Sequence, residues 1–158
     1  MGNLSGLVSN EVIAFIISMI PVLELRGGMI AASIMDIPLL RAMVICALGN
    51  LLPVPFILLF ITPLFTWLKK TKLFRPLVEK LEARAMSKAD QVERYEFWGL
   101  VLFVGIPLPM TGAWTGSLIA ALLEMKFRKA FPAVIIGIIL ADLIMSIVSY
   151  GLLGLILG

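Results

Sequence analysis

The chain has 158 residues, of which 61% are hydrophobic and 15% charged, and its mean hydropathy is +1.08. A soluble domain exposes much of its surface to water and runs about 25% charged, so this composition excludes an ordinary soluble fold and points to lipid as the solvent. A net charge of +3, no histidine and one cysteine leave no nucleic-acid signature, no internal disulfide and no imidazole for metal binding or base catalysis.

Met1 to Asn10 holds neither Lys nor Arg, so no cleavable secretory signal is expected. Four long apolar stretches follow. Val12 to Met35 is interrupted by Glu24 and Arg26. Ala42 to Leu68 carries Pro53, Pro55 and Pro63. Phe97 to Leu123 is uncharged, with Pro107 and Pro109 in its middle. Ala130 to Leu157 contains one acid, Asp142. Each exceeds the ~20 residues that cross a bilayer. Cys46 lies in an apolar run and is expected to act as a small buried hydrophobe.

The polar segment Lys69 to Glu96 separates the second and third stretches. It holds Lys69, Lys70, Lys72, Arg75, Lys80, Arg84, Lys88 and Arg94 against Glu79, Glu82, Asp90, Glu93 and Glu96. Pro76 suits a helix start, and Leu77, Val78, Leu81, Ala85, Ala89 and Val92 recur at helical spacing. The pattern predicts an amphipathic helix lying on the membrane surface or packed on the protein.

A shift of 88 residues superposes the two halves without gaps. Phe15 then falls on Phe103, Pro21 on Pro109, Gly28 on Gly116, Ala32 on Ala120, Ala42 on Ala130 and Gly49 on Gly137. Asp36 and Arg41 fall on Glu124 and Lys129 in the short polar connections. This predicts one membrane domain, 1–158, made of repeat 1 (11–68), a linker helix (69–96) and repeat 2 (97–158).

The charges discriminate between two topologies. If all four stretches cross, Lys126, Arg128 and Lys129 lie opposite the basic central segment. If the first and third are re-entrant hairpins, those three join the eight basic residues of that segment on one side. The positive-inside bias therefore favours hairpins with the central segment cytoplasmic. A repeat of one hairpin plus one span copies upside down, as in many transporters with broken helices at the midplane. Pro21, Gly27 and Gly28 are the expected breaks in the first hairpin, and Pro107, Pro109, Gly112 and Gly116 in the second. The fold class expected is all-α integral membrane: two inverted repeats, each a re-entrant hairpin plus a transmembrane helix.

Charged side chains at membrane depth normally face a cavity or each other. In Pro21-Val-Leu-Glu-Leu-Arg-Gly-Gly28, Glu24 is read as a residue that takes and releases a proton, and Arg26 as a contact for an anionic group. The alternative is a structural ion pair that locks the hairpin. Asp142 is read as a proton or sodium site, as a partner for Arg26, or as an acid without a role. Asn50 is read as interhelical glue or a ligand contact. Thr111 and Trp114 give the second hairpin an uncharged, hydrogen-bonding tip. No Walker loop, nucleophile–base pair or metal-ligand cluster is present, so neither an enzyme nor a cofactor is expected.

The strings PVLELRGGMIAASI from Pro21, GNLLPVPFILLF from Gly49 and GIPLPMTGAWTGSLIAALL from Gly105 resemble the small multi-drug export proteins of bacteria and archaea. That family is in turn similar, distantly, to the DedA (VTT-domain) membrane proteins. The DedA likeness implies two re-entrant hairpins, proton dependence and polyprenyl-phosphate transport, with Glu24 at the acidic position of the first hairpin. The second DedA hairpin carries arginine, whereas Phe103 to Trp114 has none.

The leading expectation is a proton- or sodium-coupled transporter of an amphipathic or lipid-like substrate in the cytoplasmic membrane of a bacterium or archaeon. A DedA-type lipid-phosphate flippase and a non-transporting membrane scaffold are the alternatives. Membrane lipids and a second copy of the chain are the expected partners.

Overall fold

The computed structural model describes residues 2–108, 110–152 and 154. Among these, eight α-helices and one π-helix form, with no strand. Helix α1 (Gly2–Met19) turns at residues 20–23 into α2 (Glu24–Ile34). Helices α3 (Leu39–Leu51) and α4 (Val54–Lys69) are nearly collinear across Leu52 and Pro53, giving an apolar rod of 31 residues. Helices α5 (Arg75–Ser87), α6 (Asp90–Gly105) and α7 (Ala113–Leu122) follow. Helix α8 (Phe127–Ser146) continues into a π-helical segment, Ile147–Leu152.

Leu39–Lys69 and Phe127–Gly151 are long and apolar enough to cross a membrane. At 1.5 Å per residue they extend roughly 46 and 37 Å, more than the ~30 Å hydrocarbon core. Helices α2 and α7 are 11 and 10 residues long, roughly 15–17 Å or about half that thickness.

The 88-residue offset recurs in backbone geometry. Val22 and Met110 have φ of 82° and 65°; Glu24 and Gly112, 50° and 136°; Asp36 and Glu124, 55° and 56°. The last pair closes matching helix ends. Ile37 N–H donates to Ala32 O at 3.0 Å and Asp36 N–H to Ser33 O at 3.3 Å; Met125 N–H donates to Ala120 O at 2.9 Å and Glu124 N–H to Ala121 O at 3.1 Å. Both are Schellman caps, with an acid at the left-handed position that glycine usually takes.

Two apolar clusters make the interior. One joins α1, α2 and α3 to Ala141 and Met145 of α8; the other joins α6, α7 and the first half of α8 to Val54 of α4. Ala47 packs against both, so α3 and α8 form the seam.

The described backbone alters two expectations. The amphipathic helix ends at Ser87 rather than running to Val92. Ser87 Oγ bonds back to Arg84 O at 2.7 Å, and Asp90 and Glu93 place acids in the first turn of the next helix, where its dipole favours them. Ala89 and Val92 are still buried. Glu96, at φ 45° and ψ −112°, then separates the polar start of α6 from its apolar remainder. Finally, Gly27, Gly28 and Gly116 do not break their helices. The breaks fall at 20–23 and 106–112, which contain Pro21, Pro107 and Gly112; Pro109 lies outside the described residues. Gly28 serves packing instead. A Cβ there would stand 1.8 Å from Ser18 Oγ and 3.1 Å from Cys46 Sγ, so glycine lets α1, α2 and α3 approach.

Candidate functional site

Helix α7 starts without a capping side chain: Gly112 precedes it at φ 136° and offers no oxygen to the first-turn amides. Such amides need an acceptor, and the positive end of the helix dipole prefers an anionic one. Glu24 supplies it from the other half of the chain. Its Oε1 accepts from Trp114 N–H at 3.0 Å. The approach depends on glycine, because a Cβ at Gly112 would stand 1.8 Å from Glu24 Oε2.

Arg26 performs the complementary task. The break at residues 106–112 frees carbonyl groups, which cannot be left unpaired away from water. Arg26 Nη1 donates to Leu108 O, while Nη2 donates to Thr111 O at 2.6 Å and Thr111 Oγ1 at 2.9 Å. Thr111 Oγ1 also lies within bonding distance of Ile106 O (3.0 Å) and Leu108 O (2.9 Å), and Lys88 Nζ donates to Met110 O at 3.0 Å. In return, Trp114 Nε1 donates to Met19 O, at the end of α1, at 3.0 Å. Each tip thus satisfies backbone groups of the other. Glu24 and Arg26 form no ion pair with each other among the described residues; both face the second tip.

Four of the residues singled out in the sequence, Glu24, Arg26, Thr111 and Trp114, are therefore brought together. Asp142 and Asn50 are not part of this contact. Asp142 is buried on α8 within electrostatic reach of Cys46, and its Oδ1 has no hydrogen-bond partner among the described residues. Asn50 is buried on α3 with its Oδ1 likewise unpartnered.

Beside the joined tips lies a cavity of about 660 Å³. Pro21, Val22 and Glu24 line it from the first tip, and Met110, Thr111, Trp114, Thr115 and Leu118 from the second. Ile57, Ile61 and Phe65 of α4 form an apolar wall, and Leu81, Arg84, Ala85 and Lys88 close the far side. Those last four recur at i, i+3, i+4 and i+7, which is one helix face. Sequence reasoning assigned no site role to Arg84 or Lys88. Their only signal was a place on the apolar-facing side of α5 and of the turn that ends it.

A family model described as "Putative small multi-drug export protein" matches residues 24–144. The chain belongs to this family. The match takes in Glu24, Arg26 and the second tip, every cavity-lining residue except Pro21 and Val22, and most of α8. Neither the curated proteins nor the solved structures contain a match to the chain. As a small multi-drug export protein with two membrane-capable helices, it is a membrane protein of a family named for transport.

Proposed function

We propose that this small multi-drug export protein is a gradient-driven exporter of amphipathic or lipid-like molecules. In this reading the two halves are inverted repeats in the cytoplasmic membrane, with 69–96 on the cytoplasmic side. The α1–α2 and α6–α7 pairs are re-entrant hairpins from opposite faces. Three features support this architecture: the length of α2 and α7, about half a bilayer core; the offset of 88 in sequence and dihedrals; and the tip-to-tip bonding.

The observation that carries the proposal is the Glu24 carboxylate on the Trp114 amide of α7, at the edge of the cavity. Bonds from backbone amides to a carboxylate are charge-assisted and about twice as strong as neutral ones. Taking up a proton at Glu24 weakens this bond and frees the start of α7, whose Trp114, Thr115 and Leu118 line the cavity. Proton movement and access to the cavity are then one event. Arg26 keeps the break at 106–112 folded while α7 moves, and so acts as a positioning residue. Asp142, buried at the seam with an oxygen that has no partner among the described residues, is assigned as an accessory acid.

The test is flux in proteoliposomes under an imposed proton or sodium gradient, read with a fluorescent amphiphile. Glu24→Gln removes the gradient-dependent part of the flux while the protein still inserts and folds. Undiminished gradient-driven flux in Glu24→Gln overturns the coupling role.

A further inference from the structure

We infer that the molecule taken up by the cavity is an amphiphile with one anionic end, and that Arg84 receives that end. The inference deepens the transport reading and rests on it for the identity of the site.

A census of the polar groups facing the cavity leads there. Glu24 is bonded to the Trp114 amide of α7, and Thr111 lies within the hydrogen bonds of the second tip. Lys88 is engaged by Met110 O, and the indole N–H of Trp114 is turned to Met19 O, which leaves its ring as an apolar surface. Each of these groups already has a partner inside the protein, which leaves the neutral Thr115 hydroxyl and the charged head of Arg84. The Arg84 side chain has no hydrogen bond or ion pair among the described residues, although its helix carries an Arg75–Glu79 pair and Glu82 on it pairs with Lys69 of α4. It is the one lining charge without a partner there.

The rest of the lining is dominated by apolar groups, with Ile61, Phe65 and Leu118 among them. A binding site of this make-up accepts an apolar body and orients it by its few available polar groups. A free guanidinium at the rim selects a carboxylate, sulfonate or phosphate, for which its planar donor set is suited. It disfavours a cationic head. The apolar stem of Arg84 can lie along the wall while its head stays wet, so the anion is met at the cavity mouth rather than in its depth.

The experiment uses the full chain in phosphatidylcholine nanodiscs and three probes with the same tail: dansyl-labelled undecanoate, its methyl ester and the matching trimethylammonium compound. Binding is read by dansyl fluorescence, with empty nanodiscs subtracted. The anion is expected to bind more tightly than the ester by on the order of tenfold, the scale of one charge-assisted hydrogen bond. Arg84→Ala removes that advantage, so that anion and ester bind alike, Arg84→Lys retains most of it, and Arg84→Glu shifts the preference to the cation. Charge-indifferent binding by the wild type, or an undiminished anion advantage in Arg84→Ala, overturns the inference. Replacing part of the phosphatidylcholine by phosphatidylglycerol separates two sources of the same chemistry. Displacement of the probe identifies a lipid head group, and its absence a free amphiphile; both keep Arg84 as the anion's partner. Failure of the transport reading looks different: charge-selective binding persists while no probe is moved under any gradient.

Discussion

Glu24 Oε1 and the backbone amide of Trp114 are 90 residues apart in the chain and 3.0 Å apart in space. One half of the protein caps a helix of the other half, and the second half returns the bond through Trp114 Nε1 and Met19 O. The charged tip and the neutral tip are thus complementary: the charges of the first answer the orphaned backbone of the second.

That relationship fixes the consequence of removing the cap. Glu24→Ala leaves the first amides of α7 without an acceptor, at a cost of about 1–2 kcal/mol, as for other N-cap losses. For a chain of this size this corresponds to a fall in Tm of roughly 2–8 °C, measured by circular dichroism in detergent. Gly112→Ala adds a Cβ 1.8 Å from Glu24 Oε2 at a φ of 136°, and is expected to destabilise more. The double variant is expected to be less destabilised than the sum of the two, because Glu24→Ala removes the clash; strict additivity would show that the two residues are uncoupled.

Arg26→Lys tests the guanidinium as a fork. Two nitrogens of Arg26 hold Leu108 O, Thr111 O and Thr111 Oγ1, and one ammonium cannot span all three. Loss of on the order of 1–3 kcal/mol is expected from carbonyls left unpaired. Proteolysis or amide hydrogen exchange would localise the opening to residues 106–112. Exchange unchanged there would contradict the assignment.

Packing at Gly28 gives an independent check on the α1–α2 contact. Gly28→Ala sets a Cβ against Ser18 Oγ and is expected to lower Tm, and Ser18→Ala in the same chain is expected to restore part of the loss. A Gly28→Ala protein as stable as the wild type would mean that α1 and α2 do not approach this closely.

The sequence carried the larger organisation because apolar length and prolines act locally. The four apolar stretches and the polar segment are all helical in the fold. Backbone geometry sharpened the offset: Asp36 and Glu124, matched as short polar connections, share a left-handed helix cap. What stayed hidden depends on distant partners. Glycine content marked Gly27, Gly28 and Gly116 as breaks, whereas Gly28 and Gly116 are close-contact points inside helices, a role only their neighbours Ser18 and Val104 reveal. The cap on α7 had a trace in sequence. Gly112-Ala113-Trp114 opens a helix with no Ser, Thr, Asp or Asn at its start, so the acceptor has to come from elsewhere. Nothing local says that it is Glu24. Likewise, Arg84 belongs to a charge-rich helix, and only the fold turns it toward the cavity.

The re-entrant topology proposed for the two tips can be tested directly. In a Cys46→Ser background, which leaves the chain without a thiol, single cysteines at Ser9 and Asp36 flank the apolar part of α1–α2, and at Tyr95 and Lys126 that of α6–α7. With a membrane-impermeant maleimide on intact cells and on inverted vesicles, Ser9→Cys and Asp36→Cys should react from the outer face. Tyr95→Cys and Lys126→Cys should react from the cytoplasmic one. Labelling of Ser9→Cys and Asp36→Cys from opposite faces would make the first stretch a simple span and contradict tips that meet inside the bilayer.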